Sequence, residues 1–252
     1  MMLEQFSLNG KIAVVTGGTK GLGRAIAVAL AEAGADIMVV SRTAEKGVED
    51  TILSLGRRYF HHSTDLTKRD QTRRVIPTAV EKMGGIDILI NNSGIIRKAP
   101  IIDYSEEDWD TVLEIDLTAV FVLSQAAGRI MLQKGKGKIV NIASTVAFQG
   151  ATNVSGYVVA KHGVAGLTKA LANEWAGRGI NVNAIAPSFF VTAFTEAIHK
   201  NPERFKSVAA RTPAGRWGNP VDVAGAAVFL ASSASDFIHG VILPVDGGWM
   251  VG

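Results

Sequence analysis

The sequence contains no cysteine. Disulfide bonds, thiol nucleophiles and thiolate metal ligands are therefore excluded. It also has no run of about 18 consecutive apolar residues, and its beginning lacks the basic and long apolar segments of a secretion signal, so we expect a soluble cytoplasmic protein. No linker rich in proline or serine and no internal repeat interrupts the 252 residues, which predicts a single domain spanning residues 1–252.

The sequence also has little excess of charge of either sign. Lys and Arg number 26 and Asp and Glu number 23, and the basic residues are scattered among acidic ones. A protein that binds nucleic acid usually gathers its positive charge into a patch or stripe, so this distribution argues against nucleic acid as a partner. The pI of about 9.2 favours small anionic ligands, and the 47% hydrophobic content is enough for a large core.

Short apolar segments alternate with segments of helical periodicity along the chain. Strands are predicted at residues 11–16, 35–41, 58–64, 86–91, 138–143, 180–185 and 241–245. Helices are predicted at residues 22–33, 44–55, 68–83, 105–133, 157–177 and 222–231. This alternation predicts an α/β fold, a doubly wound parallel sheet of about seven strands with helices on both faces. The segment 188–215 has weak strand signal and is predicted to be a helical lid over the substrate.

A glycine-rich turn, residues 16–23, connects the first strand to the first helix. Glycines let the backbone turn sharply and approach a phosphate closely, and the free N–H groups at the helix start attract anionic oxygens. The position of the turn at the start of a strand–helix series favours a dinucleotide site over an ordinary tight turn.

The second strand ends in Ser41 and Arg42 and not in an acidic residue. Sites that prefer NAD usually place Asp or Glu there to bind the ribose 2′-hydroxyl, whereas a basic residue accommodates the 2′-phosphate of NADP. Arg42 and Lys20 therefore favour NADP(H), with NAD(H) as the alternative if Arg42 is only a solvated loop charge. Asp36 lies at the wrong end of the strand to reverse this.

Tyr157 and Lys161 lie four residues apart in a predicted helix, so their side chains share one face. An ammonium group beside a phenol favours the phenolate, and it would lower the pKa of Tyr157 toward the range useful for acid–base catalysis. Ser144 follows the fifth strand and could hydrogen-bond a reacting oxygen. The alternative is an ordinary surface pair.

His61 and His62 are neighbours on a strand and point to opposite faces, which is poor metal geometry.

Four motifs occur in an order that resembles the short-chain dehydrogenase/reductase family: residues 16–23, residues 91–94, Ser144 and residues 157–161. The resemblance covers nearly the whole chain. Within the family, the chain looks most like the enzymes of sugar acids such as keto-deoxygluconate and gluconate. The stretches that suggest this are residues 91–98, 172–175, 213–218 and 245–249.

The resemblance implies a role for each matching residue. The implied catalytic residues are Ser144, Tyr157, Lys161 and Asp116. The implied cofactor-binding residues are Gly17, Thr19, Lys20, Gly21, Leu22, Gly23, Ser41, Arg42, Asp65, Leu66, Asn91, Gly94, Tyr157, Lys161, Pro187, Val191 and Thr192. The implied substrate-binding residues are Arg97, Ser144 and Tyr157. Such chemistry needs no metal.

Three positions depart from the family pattern. Asp116 stands where the family often has a catalytic asparagine, Ser93 stands in place of alanine, and Ser188 in place of glycine. The two serines are small and are expected to be tolerated. If the family residue acts through its backbone carbonyl, Asp116 can replace it; if its side chain matters, activity or pH dependence changes.

The function implied is that of an NADP(H)-preferring oxidoreductase that transfers hydride between nicotinamide and a secondary alcohol or ketone, with a sugar acid as substrate. Reduction of 3-oxoacyl chains on a carrier protein, or of carbonyl compounds in general, is the alternative among enzymes. The alternative outside enzymes is a regulator that senses NADP(H), against which the intact Ser144, Tyr157 and Lys161 argue. The family also implies a homotetramer that contacts neither membrane nor nucleic acid.

Overall fold

A single parallel sheet forms the centre of the computed structural model, which describes residues 2–252. The strands are β1 (Ile12–Thr16), β2 (Asp36–Ser41), β3 (Tyr59–Ser63), β4 (Ile88–Asn91), β5 (Gly137–Ile142), β6 (Ile180–Pro187) and β7 (Ile242–Val245). Their spatial order is β3-β2-β1-β4-β5-β6-β7, and every neighbouring pair is parallel. The predicted seven-stranded, doubly wound sheet is confirmed. The strand order reverses between β1 and β4, and ligands of such sheets bind outside the carboxyl ends of the strands at this point.

Helices cover both faces of the sheet. They are α1 (Gly21–Glu32), α2 (Lys46–Ser54), α3 (Arg69–Met83), α4 (Glu106–Leu113), α5 (Ala119–Lys134), α6 (Ser155–Trp175), α7 (Glu196–His199), α8 (Pro202–Arg211) and α9 (Pro220–Ala231). The helix predicted at 105–133 is interrupted by one wider π-helical turn, Glu114–Thr118, between α4 and α5. Ser105 caps α4, its hydroxyl accepting the N–H of Asp108 at 3.1 Å.

The core consists of two apolar layers, one on each face of the sheet. Ile26 and Leu30 of α1 and Leu230 of α9 pack on one face. Ile76 of α3 and Leu123 of α5 pack on the other. Because helices cover both faces, strands β5 and β6 are buried along their whole length. The sheet is therefore a rigid platform for the residues at its carboxyl edge.

Asn91, at the end of β4, has its side chain in the protein interior. Its amide donates to Ser124 Oγ at 3.1 Å and to Asn141 Oδ1 at 2.8 Å, and Asn141 in turn donates to Thr168 Oγ1 at 2.9 Å. These bonds tie β4 and β5 to α5 and α6. The amide nitrogen of Asn91 is thus held by a buried network, whereas its Oδ1 has no hydrogen-bond partner among the described residues. The expected contact of Asn91 with the cofactor stays a prediction.

The helical stretch Glu106–Lys134 is long and apolar enough to span a membrane by length and composition alone. Within the protein, its α5 portion packs against α3 and its α4 portion against α6. The part of its most apolar window that is buried inside the molecule amounts to 44%. A core helix passes the same test, so this stretch is weak evidence for a membrane span.

Residues 188–215 are largely helical, as predicted, and comprise a short 3-10 turn followed by α7 and α8. Trp217 anchors this segment. Its ring stacks on Phe205 at a centroid distance of 5.4 Å, and its indole N–H donates to the Phe205 carbonyl at 3.0 Å. Phe194 lies 6.0 Å from the ring of Tyr157, between ring centroids. The segment therefore covers the tyrosine, and its role as a lid remains a prediction.

Candidate active site

The glycine turn between β1 and α1 is shaped by contacts that exclude larger residues. Gly17 and Gly21 have φ angles of +65° and +54°, a conformation that favours glycine. A Cβ on Gly23 would collide with the carbonyl oxygen of Gly17. Asn92 fastens the turn from the neighbouring strand, because its amide donates to the Thr16 carbonyl at 2.8 Å. Sequence reasoning placed the motif but missed Asn92 as its support.

The segment that follows β6 lies against the glycine turn. A Cβ on Gly21 would be in contact with Thr192 at 3.5 Å. Two sequence segments predicted to bind the cofactor, the turn at 16–23 and the stretch Pro187, Val191 and Thr192, therefore border one cleft. Both segments lie at the carboxyl ends of their strands, β1 and β6, and the region between them is the candidate cofactor cleft. These features fit a dinucleotide with its pyrophosphate at the start of α1.

At the far end of the cleft, the side chain of Arg42 is free. It is exposed, and within residues 2–252 its guanidinium makes no hydrogen bond or ion pair. Lys20, by contrast, is paired with Glu45 at 3.1 Å between Nζ and Oε1. Asp65 lies near Arg42. The pKa of Asp65 is lowered chiefly by a hydrogen bond from the Thr67 backbone, and the charge of Arg42 contributes. Arg42 is thus the more available of the two predicted phosphate ligands.

Tyr157 and Lys161 share one face of α6, as their spacing predicts. The Lys161 ammonium lies 5.4 Å from the centroid of the Tyr157 ring. Lys161 is 4% exposed and donates to the Ile142 carbonyl at the end of β5, at 3.0 Å. Ser144 follows β5, its hydroxyl lies 3.5 Å from the Pro187 carbonyl, and it acts to lower the pKa of Tyr157. The structure therefore brings together the three residues that sequence reasoning singled out.

Asp116 is fully buried beside Lys161. The π-helical turn presents it inward: Oδ1 accepts the backbone N–H of Ile95 at 2.8 Å, and Oδ2 lies 3.3 Å from Lys161 Nζ. π-Helical turns are rare and often occur at functional sites. A Cβ on Gly94 would lie 2.8 Å from Asp116 Oδ2, so only glycine leaves room for the carboxylate. Asp116 is therefore built into the site as a counter-ion of Lys161.

The pKa values of this cluster depend on burial and on the Asp116 charge. Burial lowers the pKa of Lys161, but the charges of Asp116 and Tyr157 outweigh it and raise the pKa overall. The pKa of Asp116 is raised because of burial, although Lys161 opposes this. The pKa of Tyr157 is also raised: burial raises it most, Lys161 lowers it and Asp116 raises it again. Lys161 thus lowers the pKa of Tyr157, as expected, but burial outweighs this effect and the net pKa is raised and not lowered.

Arg97, the predicted substrate ligand, already has an acidic partner. Its Nε donates to Asp108 Oδ1 at 3.0 Å, and both side chains are about half exposed. The two terminal nitrogens of the guanidinium make no hydrogen bond with the described residues. Asp108 thus orients Arg97 and leaves the two terminal nitrogens of its guanidinium free to bind a carboxylate in bidentate fashion.

Two further residues, predicted to border the adenine, follow β3. Leu66 is buried, and Asp65 accepts two hydrogen bonds from Thr67. In the part of the chain that the structure describes, no group of three or more His, Asp or Glu side chains is arranged to hold a metal ion. His61 instead contacts Ser41, at 2.9 Å between Nε2 and Oγ.

Comparison with known proteins gives the family. A family model described as enoyl-(acyl carrier protein) reductase matches residues 17–250. The chain is 45% identical to the 2-dehydro-3-deoxy-D-gluconate 5-dehydrogenase of Escherichia coli (strain K12), over 99% of both chains. It is 47% identical to the enzyme of that name from Bacillus subtilis (strain 168), over 98% of this chain and 97% of the relative.

Solved structures agree with this. A gluconate 5-dehydrogenase from Burkholderia cenocepacia J2315, crystallised with NADP and tartrate, is 37% identical over 100% of both chains, with a TM-score of 0.92. The match begins within the glycine turn and extends past the last strand, so apart from Thr16 it covers the motifs that led to the resemblance. The chain belongs to the short-chain dehydrogenase/reductase family.

Proposed function

We propose that the protein is an NADP(H)-preferring oxidoreductase that interconverts a secondary alcohol and a ketone of a sugar acid, of the keto-deoxygluconate or gluconate type. The observation that carries this proposal is the placement of Tyr157 beside the buried ammonium of Lys161, at the edge of the glycine-turn cleft. A phenol and an ammonium at a dinucleotide cleft are the groups needed to move a proton while hydride moves elsewhere.

In this proposal NADP(H), when bound, supplies or accepts the hydride. Tyr157 gives a proton to the substrate oxygen during reduction and takes it during oxidation. Ser144 hydrogen-bonds that oxygen and steadies the charge that develops on it. Lys161 has three N–H donors, of which one is held by the Ile142 carbonyl and one faces Asp116. The third remains for a cofactor hydroxyl or for the Tyr157 oxygen.

The preference for NADP(H) follows from the end of β2. Arg42 is exposed and unpaired among residues 2–252, so its guanidinium can bind a 2′-phosphate without first losing an ion pair. The solved relative with bound NADP supports the same choice. Arg42 and Ser41 are proposed to hold the 2′-phosphate, with Lys20 adding charge at the mouth of the cleft.

The substrate class is proposed from the relatives and from Arg97. Two relatives at 45% and 47% identity are named for 2-dehydro-3-deoxy-D-gluconate, which carries a carboxylate. Arg97, oriented by Asp108, offers two terminal nitrogens to such a group. Replacing Arg97 by Met is expected to raise KM for the sugar acid about tenfold with little change in kcat, and Lys98→Met serves as the control.

A panel of sugar acids tests the proposal, with the absorbance of reduced cofactor as the measurement. We expect turnover of 2-dehydro-3-deoxygluconate or gluconate and a higher kcat/KM with NADP(H) than with NAD(H). The description of the matching family model favours a second candidate, a reductase of acyl chains on a carrier protein. Efficient turnover of an acetoacetyl thioester, without response to any sugar acid, would select that function instead.

We also propose a cytoplasmic homotetramer, with α5 and α6 packing between subunits. Phe121 on α5 and Val159 on α6 are 45% and 44% exposed in the single chain, and such apolar side chains are expected to be covered in an assembly. Light scattering combined with size-exclusion chromatography measures the mass directly. Replacing both residues by Glu should then release smaller species.

A further inference from the structure

The loop that follows β2 is fastened by the edge strand β3. Ser63 Oγ donates to the backbone carbonyl of Arg42 at 3.1 Å. Ser41 Oγ donates to the backbone carbonyl of Thr43 at 2.8 Å and lies 2.9 Å from His61 Nε2. Ser41 and Ser63 are paired in register, and His61 stands two residues before Ser63 on the same side of the sheet. His61 therefore supports the residue beside Arg42.

The hydrogen bonds of Ser41 fix the role of His61. A serine hydroxyl has one hydrogen, and Ser41 uses it on the Thr43 carbonyl. The contact between Ser41 and His61 must then be a bond in which His61 Nε2–H donates and Ser41 Oγ accepts. If Ser41 turns its hydrogen toward a bound phosphate, it can still accept from His61. The imidazole thus aims the hydroxyl and occupies one of its lone pairs.

Charged groups around His61 define its electrostatic setting. Arg42 is on the adjoining loop, and the α2 side of β3 carries Tyr59, whose pKa is raised by burial and by Glu49. Glu45 precedes α2 and is paired with Lys20. His62 faces the other side of the sheet, and its pKa is lowered by burial and by His61. No acidic side chain contacts the His61 ring among residues 2–252, so a proton gained there is not neutralised by a direct partner.

We propose that His61 is a specificity-determining positioning residue for the 2′-phosphate of NADP(H), acting through Ser41, and that protonation of its imidazole strengthens NADP(H) binding but not NAD(H) binding. This inference rests on the proposed function, since it assumes that the end of β2 reads the 2′-phosphate. Histidine is the side chain whose charge ordinarily changes between about pH 5 and 8. A positive charge one hydrogen bond behind Ser41 attracts the anionic phosphate, whereas the neutral 2′-hydroxyl of NAD(H) gains nothing from it.

The test measures dissociation constants of NADP⁺ and NAD⁺ by calorimetry between about pH 6 and 8, without substrate, for the full chain and four variants. His61→Gln keeps a nitrogen donor toward Ser41 but carries no charge, and His61→Leu removes both. His62→Gln is the matched control on the opposite face, and Ser41→Ala removes the hydroxyl. The 2′-phosphate itself titrates near pH 6, and comparison with His61→Gln cancels this effect because it is common to all variants.

We divide the NADP⁺ affinity of the unmodified protein by that of His61→Gln at each pH. This ratio should rise about threefold to tenfold from pH 8 to pH 6. His61→Leu and Ser41→Ala should weaken NADP⁺ at every pH, while His62→Gln should resemble the unmodified protein, and NAD⁺ affinities should not depend on His61. A ratio that is constant with pH overturns the inference. If the unmodified protein shows no preference for NADP⁺ at any pH, both the proposed cofactor choice and this inference are wrong. If it clearly prefers NADP⁺ but the preference does not depend on His61, only this inference is wrong.

Discussion

The two ends of the cofactor cleft use charge in opposite ways. At the catalytic end, Lys161 and Asp116 are 4% and 0% exposed and hold each other at 3.3 Å. At the phosphate end, Arg42 is exposed and unpaired among the described residues. Charges that are removed from water interact strongly and shift the pKa of their neighbours, whereas exposed charges are screened and act mainly by direct contact. In the proposed function, the catalytic end thus sets protonation states, and the phosphate end binds.

The largest effect is expected from Tyr157→Phe, which removes the proton donor and leaves the cleft intact. We expect kcat to fall by about 10²- to 10⁴-fold, with the dissociation constant of NADP⁺ nearly unchanged, because the hydroxyl takes part in proton transfer. Steady-state kinetics and calorimetry measure the two quantities. Equal losses in turnover and in binding would contradict the division between the two ends and indicate a structural role. Unchanged activity would remove Tyr157 from the mechanism.

Arg42→Asp is the corresponding change at the phosphate end. It should lower kcat/KM for NADP(H) by about tenfold to a hundredfold and favour NAD(H), because the carboxylate repels the 2′-phosphate and can bind a ribose hydroxyl. The kcat at saturating cofactor should change little. Lys20→Gln provides a comparison, since Lys20 already has Glu45 as its partner and should contribute less. An unchanged cofactor ratio in Arg42→Asp would mean that the 2′-phosphate is read elsewhere.

Asp116→Asn tests whether the buried carboxylate sets the pKa of Tyr157. Asp116 raises that pKa and keeps Lys161 charged. Oxidation needs the phenolate, so its rate rises with pH through the tyrosine pKa. Asparagine removes the repulsion between the Asp116 carboxylate and the phenolate, so wherever Lys161 stays protonated the rising limb should move to lower pH. During reduction the falling limb should move in the same direction.

The control for this change is Asp110→Asn, an exposed carboxylate on α4. Its pH profile should match that of the unmodified protein. The ultraviolet absorbance of tyrosinate, measured as the difference from Tyr157→Phe, follows the same titration without substrate. A profile in Asp116→Asn that keeps its midpoint, or moves it upward, would show that Asp116 acts only through packing or its backbone.

The smallest effect expected is that of salt. Raising ionic strength from about 0.05 to 0.5 M should weaken NADP⁺ binding several-fold, because the Arg42 contact is exposed. The midpoint of the pH profile should shift little, because Asp116 and Lys161 are buried. Equal salt sensitivity at both ends would mean that water reaches the Lys161 ammonium freely.

Most of the fold could be predicted from the sequence because its signals are local. Apolar strands, helical periodicity and the glycine turn at 16–23 each depend on residues close together in the chain. The spacing of Tyr157 and Lys161 likewise places both side chains on one face of a helix. The role of Asn92 in holding the glycine turn, and the removal of the Asn91 side chain into a polar network, depend on neighbouring strands far apart in sequence.

The sequence by itself determined the family, the doubly wound sheet, which side chains are the candidate reacting groups and the basic residue at the end of β2. The tertiary structure alone decided which charges are partners: Asp116 with Lys161, Asp108 with Arg97, Glu45 with Lys20, and none for Arg42 among residues 2–252. It also decided that burial raises the Tyr157 pKa. The physical reason is that Coulomb interaction and desolvation depend on distance and burial in space, which residue types and spacing along a chain do not contain.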